Sequence, residues 1–425
     1  MFGWEFPPHI SGGLGTACFG LTKGMAKLNK VEVIFVVPKA FGDENPADIQ
    51  LIGANQVPVA HKEIQFEDEQ QKIDYFEVES KLIPYVGEEE FWNLKSKVYS
   101  KKTRFIETDS GLRVDFTGKY DAGLLEEIRN YAWVAEIIAR NNPFDIIHAH
   151  DWLAYPAGMA AKKISGKPLV IHVHATDFDR SGGSVNPRVY AIEREGMEMA
   201  DKIIAVSELT KNIIVEKYDI PSEKITVVYN AVEPVLDGNG VKYKKGFDEK
   251  VVTFLGRITA QKGPEYFVEA AHLLLKKINK VRFVMAGSGD LMNQMIVRVA
   301  ELGISDHFHF TGFLKGKDVA HMLQITDVFV MPSVSEPFGI VPLEAMQFNV
   351  PVIISNQSGV AEVIKNAIKI DFWDTLEMAD AIYGLLNYSA LADYFKNEGK
   401  HEVEQLEWVN SAREVTEVYK SLVQF

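Results

Sequence analysis

The chain has a single cysteine, Cys18. An internal disulfide and a cysteine-based metal site are both excluded, and a lone thiol suits a reducing compartment. No apolar run approaches the roughly eighteen residues of a membrane-spanning helix, and no basic-then-apolar leader is present. Long basic clusters are missing too, and the net charge is −14. That balance argues against nucleic acid and against an anionic membrane surface as partners. A cytoplasmic chain is the expectation. The dinucleotide spacing is also absent. Gly13-Leu14-Gly15 would need a third glycine where Cys18 stands, and Gly287-Ser288-Gly289 would need one where Met292 stands. A redox Rossmann reading fails at both places.

What is present is a long, ordinary globular composition: 425 residues, 47% hydrophobic and 24% charged. That length exceeds one hydrophobic core, so two domains are expected. Short β-branched runs alternate with helical patterns on both sides of residues 237–250, a stretch rich in Gly, Lys and Asp with little to bury. The expected fold class is α/β, with doubly wound domains over residues 1–235 and 245–407. In the tail, 408–425, Trp408, Ala412, Val415, Val418, Tyr419 and Leu422 recur at helical spacing. Residues 1–6 read as the end of a strand beside the run at 31–37, from a shortened amino terminus or a late assigned start. Residues 55–115 are irregular, with alternation at 72–78, and read as an insertion in the first domain.

The most informative stretch is Ser335-Glu336-Pro337-Phe338-Gly339-Ile340-Val341-Pro342-Leu343-Glu344. It follows the apolar run 328–331, expected as a buried parallel strand, and enters a helix that must stop before Pro351. Glu336 then lies in a loop at a strand's carboxyl end and Glu344 on the next helix, eight positions on. Open α/β sheets bind ligands there, and two carboxylates could hold two parts of one polar ligand. The alternative is a helix cap and a solvated surface glutamate.

Other stretches point to the same kind of place. Gly12-Gly13-Leu14 feeds the helical run 17–28, where glycines admit a ligand and free amides favour an anion. Gly256-Arg257 and Lys262 occupy the connection after the run 251–255, placed to neutralise a diphosphate. Ser358-Gly359-Val360 opens another helix. His148-Ala149-His150-Asp151-Trp152 and His172-Val173-His174 end two strands. Alternate strand residues share a face, which invites a metal reading. One member of each pair is expected in the interior, and Asp151 and His174 are expected to face one crevice.

In this order the motifs resemble the retaining glycosyltransferases of the GT-B type, most closely the glycogen/starch synthase group, over nearly the whole chain. The resemblance implies two Rossmann-like domains facing a central cleft, with the last helix crossing back to the first domain. It implies a hexosyltransferase moving glucose from UDP-glucose or ADP-glucose to an α-glucan, without cofactor or metal. Arg257 and Lys262 would hold the donor diphosphate, Glu336 the transferred sugar and Glu344 the ribose. Gly12, Gly13, Gly256 and Gly339 would line the donor, and Ser358, Gly359 and Val360 would offer amides to its phosphates. His174 would lie beside the anomeric carbon and Asp151 near the acceptor hydroxyl. The chain departs from the synthase pattern at Ile10 and Ser11, where a basic residue often precedes the paired glycines. Rival readings are a sucrose-phosphate-synthase-like or surface-glycan transferase, a carbohydrate-binding or regulatory protein, and an epimerase of the same fold. The base, the acceptor, the oligomeric state and any allosteric control stay open.

Overall fold

The computed structural model describes all residues except 11, 47–48, 60–104, 109–110, 121–122, 235–244 and 424–425. The alternation at 72–78 and most of the expected linker lie outside the described residues. The rest forms two Rossmann-like α/β domains, each built on a parallel sheet covered by helices on both faces.

In the first domain β1 (Ile34–Val37) pairs with β2 (Gln50–Gly53), and β3 (Phe105–Thr108) with β4 (Gly111–Val114) makes an antiparallel hairpin. β5 (Ile147–His150), β6 (Leu169–Val173), β7 (Lys202–Ala205) and β8 (Ile225–Val227) follow in parallel order. Phe2 joins the two groups, bridging Val36 on one side and Ala149 on the other. Its amide donates to the His148 carbonyl at 2.7 Å, and its carbonyl accepts from His150 at 2.9 Å. The strand read at residues 1–6 is therefore shorter than expected, because Phe6 already turns back to pair with His9. The first residues sit at the centre of the sheet, where the strand order reverses.

The second domain carries β9 (Lys250–Leu255), β10 (Val281–Ala286), β11 (Phe308–Gly312), β12 (Val328–Met331), β13 (Val352–Ser355) and β14 (Ile368–Ile370). Their order is β11-β10-β9-β12-β13-β14, all parallel. This is the doubly wound order, and its reversal falls between β9 and β12, where a crevice opens beyond the carboxyl ends. The sequence explains the strands simply. Val328–Met331 and Val352–Ser355 are buried throughout, as strands covered on both faces must be. Helix starts follow local chemistry: the Ser207 hydroxyl accepts from the Thr210 amide at 3.0 Å, and Asn186 caps Pro187–Met199.

The last helix, Trp408–Lys420, lies against the first, Gly13–Leu28. Trp408, Ala412, Val415, Val418 and Tyr419 share a core with Cys18, Leu21, Met25 and Phe35. The close approach requires glycine: a Cβ on Gly20 would overlap the Trp408 ring, and one on Gly24 would come within 2.5 Å of the Trp408 carbonyl. Among the described residues no helix is long and apolar enough to cross a membrane.

Overpacking this crossing costs about 1–3 kcal/mol. Gly24→Val is expected to lower the thermal midpoint and speed proteolysis of the last helix. Gly13→Ala, where an added Cβ meets nothing within 4 Å, should leave both nearly unchanged.

Candidate active site

The crevice between β9 and β12 is built from two loops. After β9, Gly256 and Arg257 lead into the short 3-10 turn Ala260–Lys262, and Gly263, at φ +63°, starts the helix Pro264–Leu275. After β12 the chain runs through Ser333 and Glu336 to the helix Val341–Gln347. Lys262 and Glu336 meet across the crevice in a short ion pair, and the Ser333 hydroxyl donates to the same carboxylate oxygen at 3.2 Å. Glu336 is 7% exposed. Little water screens this pair, so its charges act at short range. The Arg257 guanidinium donates to the Gln261 side-chain oxygen at 2.7 Å, and Gln261 Nε2 donates to the Ser335 carbonyl at 3.0 Å. Arg257, Lys262 and Glu336 therefore belong to one constellation.

Gly339 holds the turn at φ +100°, a conformation that side chains rarely adopt. The amides of Phe338, Gly339 and Ile340 have no hydrogen-bond partner among the described residues. They offer donors to an anion or a hydroxyl; the sequence pointed to Gly339 as lining the donor but not to Phe338 and Ile340. Amide donors to the phosphates were expected from Ser358, Gly359 and Val360, and two of those three amides are already engaged within the protein. The Gly359 amide donates to the Glu336 carbonyl at 2.9 Å and the Val360 amide to the Phe338 carbonyl at 2.7 Å. The Ser358 hydroxyl donates to the Ser355 carbonyl at 2.6 Å. This turn props up the glutamate loop. Gly359 is needed because a Cβ there would overlap the Pro337 carbonyl and crowd Ser207 of the first domain. The Gly256 amide is likewise engaged, donating to Ala286 at 3.0 Å.

Glu344 lies on the Val341–Gln347 helix, half-buried, with no ion pair or hydrogen bond to its carboxylate among the described residues. Burial raises its pKa from 4.5 to about 7. A partly neutral carboxyl without partners is poised to receive hydroxyl donors.

The first domain contributes the carboxyl ends of β5 and β6. Asp151, at φ +62°, is buried, and its Oδ1 accepts from the amides of His174 and Ala175 at 3.1 and 3.2 Å. Burial pushes its pKa up to about 6, with Arg180 and those amides pulling the other way. Its carboxylate was expected to face the crevice; it is spent on anchoring the His174 turn, because two backbone donors and Arg180 Nη1 at 3.7 Å already surround it. His174 is half-buried and kept neutral, its pKa lowered to about 3 by burial. Gly12 and Gly13 begin the first helix, and neither shares a hydrogen bond with the second domain among the described residues.

Two residues absent from the sequence reading join the halves. Asp179 and Thr176 form a capping box at the helix Asp177–Ser181. The other Asp179 oxygen accepts from the Ser335 hydroxyl at 2.5 Å, next to Glu336. At a second bridge Glu362 caps the helix Glu208–Tyr218, accepting from the amides of Glu208 and Leu209 at 2.8 Å each. No sequence signal marks either contact, since the partners stand 156, 154 and 153 residues apart.

The histidine pairs also differ from expectation. His148, His150 and His172 are all buried, and stacking runs from His148 to His150 at 4.2 Å and from His172 to His174 at 4.3 Å. A cysteine-based metal set was excluded on the cysteine count alone; among the described residues Cys18, His150 and His174 bring potential ligand atoms within 4.8 Å of one another. Cysteine counting rules out an all-cysteine cluster, but a mixed one is assembled by folding.

Residues 241–402 match the family of group 1 glycosyl transferases, and residues 112–236 match glycosyltransferase family 4. An uncharacterised glycosyltransferase of Methanocaldococcus jannaschii is 28% identical, over 99% of this chain and 97% of that one. The alpha-maltose-1-phosphate synthase of Mycolicibacterium smegmatis is 28% identical over 65% of this chain and 79% of that one. A variant of S. aureus TarM solved with UDP and alpha-GlcNAc-glycerol superposes with a TM-score of 0.65, at 15% identity, over 100% of this chain and 99% of that one.

The raised Glu344 pKa carries a sign. A carboxyl that is harder to ionise when folded costs stability as pH rises from about 4.5 to about 7. Glu344→Gln removes that cost. Without ligand it should be more stable than the parent by about 1–2 kcal/mol at pH 8, after discounting for partial solvent access, and nearly equal at pH 4. Denaturant unfolding at the two pH values reads the difference.

Proposed function

We propose that the chain is a glycosyltransferase of the GT-B type, a reading supported by the two family matches and the fold, and that it moves a hexose from a nucleoside-diphosphate sugar to a carbohydrate hydroxyl with retention at the anomeric carbon. The observation that carries this reading is the Lys262–Glu336 pair at the reversal point of the second sheet, with Arg257 beside it. Transfer requires a leaving diphosphate stabilised as its charge grows, and fixed cations in a closed cleft supply that. Lys262 and Arg257 serve the diphosphate, helped by the amides of Phe338, Gly339 and Ile340. As Lys262 turns to the phosphate, Glu336 is released to accept from hydroxyls of the transferred sugar. Glu344 accepts from the ribose, which favours its ionised form. Neutral His174 lies beside the anomeric carbon through its carbonyl and ring, and Asp151 holds its turn in place. Among the described residues we assign no carboxylate pair the roles of glycosidase nucleophile and acid. The leaving phosphate takes the acceptor proton in this scheme, and domain closure limits hydrolysis. The two cations take the place of a divalent ion at the phosphates.

The donor this reading favours is UDP-glucose or ADP-glucose, and the acceptor an α-glucan, as in a glycogen synthase. A second acceptor class, a phosphorylated small sugar, is favoured by the likeness to the alpha-maltose-1-phosphate synthase. The cytoplasm is the compartment we assign, where a free thiol such as Cys18 persists.

In excess chelator, nucleoside diphosphate release from UDP-glucose or ADP-glucose should rise on adding glycogen, with an elongated glucan as product. Release that responds to a sugar phosphate and not to glycogen selects the second acceptor; hydrolysis of neither donor under any acceptor overturns both. Glu336→Ala should lower turnover on the order of a hundredfold or more with the fold intact. Arg257→Ala should weaken nucleoside diphosphate binding by about 1.5–3 kcal/mol, read by calorimetry.

A further inference from the structure

Beneath the first helix, where β5 and β6 end, the lone cysteine meets the histidine stack. The Cys18 sulfur, one ring nitrogen of His150 and one of His174 all lie within 4.8 Å of one another. His150 Nδ1 and His174 Nε2 stand 3.0 Å apart. Cys18 and His150 are fully buried, and His174 is half-buried, giving the group one side that reaches solvent. The surroundings are short of partners: His148 Nε2, His150 Nε2, His174 Nδ1 and both nitrogens of His172 are buried without a hydrogen bond. Native interiors rarely leave such a concentration of polar atoms unsatisfied.

We propose that Cys18, His150 and His174 form a binding site for a borderline-soft transition cation of the zinc class. One sulfur and two imidazole nitrogens are the donor set such an ion selects over magnesium or calcium. Binding breaks the Cys18 S–H bond and forms a sulfur–metal bond, and the proton leaves to solvent. Both imidazoles bind neutral, and the fourth position, on the side of His174 that reaches the surface, is left to water. The neighbouring set His148, His150 and His172 is a poorer cage. It offers no sulfur, and all three of its residues are buried, which leaves no open side for a fourth ligand.

The consequence for transfer rests on the reading that His174 lies beside the anomeric carbon. An ion on the His174 ring fixes it away from the donor, so transition cations inhibit reversibly and chelator restores activity. The site is then a brake on an enzyme whose chemistry needs no metal at the phosphates.

The full chain titrated with Co²⁺ tests binding without reference to activity. Expected is about one ion per chain, with the strong visible bands of tetrahedral cobalt and a thiolate charge-transfer band, both displaced by Zn²⁺. Cys18→Ser should lose the charge-transfer band and bind about tenfold more weakly or worse. Its metal-free transfer rate should stay near that of the parent, and Zn²⁺ inhibition should vanish. Cys18→Ala serves if serine disrupts the core. Absence of a thiolate band, or unchanged Co²⁺ affinity in both variants, overturns the site. Binding with the band but without inhibition keeps the site and overturns the placement of His174.

Discussion

A cation held against a carboxylate with little water between them is the constraint on which the cleft depends. Lys262 and Glu336 come from different loops, and neither loop could leave its charge buried alone. The pair draws the turn before the Pro264–Leu275 helix onto the loop after β12. Gly263 permits the approach, because any side chain there would overlap the Pro332 carbonyl. The pair is also a poised exchange. In the proposed transfer a diphosphate would compete for the lysine and sugar hydroxyls for the glutamate, so each ligand group would replace an interaction already made. Desolvation has been met in the resting protein, and binding largely trades partners.

From Glu336 the order propagates outward through short polar links. Its backbone rests on the turn at Gln357 and Gly359, and Ser335 beside it reaches Asp179 in the first domain. Asp179 belongs to the helix that follows His174 and Ala175, whose amides Asp151 holds. Arg180 from the same helix pairs with buried Glu193, to which Tyr218 also donates. Burial first, countered by Arg180, leaves Glu193 with a pKa of about 7. The two halves of the site are thus joined by side chains that pair with one another. Glu362 adds a second tie at some remove, using a helix N-terminus as its partner.

The fold was largely legible because parallel strands buried on both faces are written as unbroken apolar runs. Val328–Met331 and Val352–Ser355 appear in the structure at the limits their residues suggest. Glu336 and Glu344 were legible for the related reason that loop and helix follow such a strand in order. What stayed hidden depends on partners distant in sequence. No local pattern says that the Gly359 and Val360 amides are consumed by the loop they were thought to assist, or that Ser335 meets Asp179. The histidine pairs announced a shared face through alternation, but their burial depends on the first helix and on Phe2, which supply the cover. The neighbours of Cys18 were hidden for the same reason. Its companions lie on other strands, and counting cysteines says nothing about them.

One more contact sets a sequence of events. The Tyr419 hydroxyl lies 2.5 Å from His148 Nδ1, 271 positions earlier in the chain, and its helix covers Cys18 and Leu21. During synthesis the first sheet can pair its strands, yet that face stays open to water until the final helix leaves the ribosome. The first domain to be made is therefore the last to be sealed, and a nascent chain passes through a stage with an exposed apolar groove that only its own tail closes.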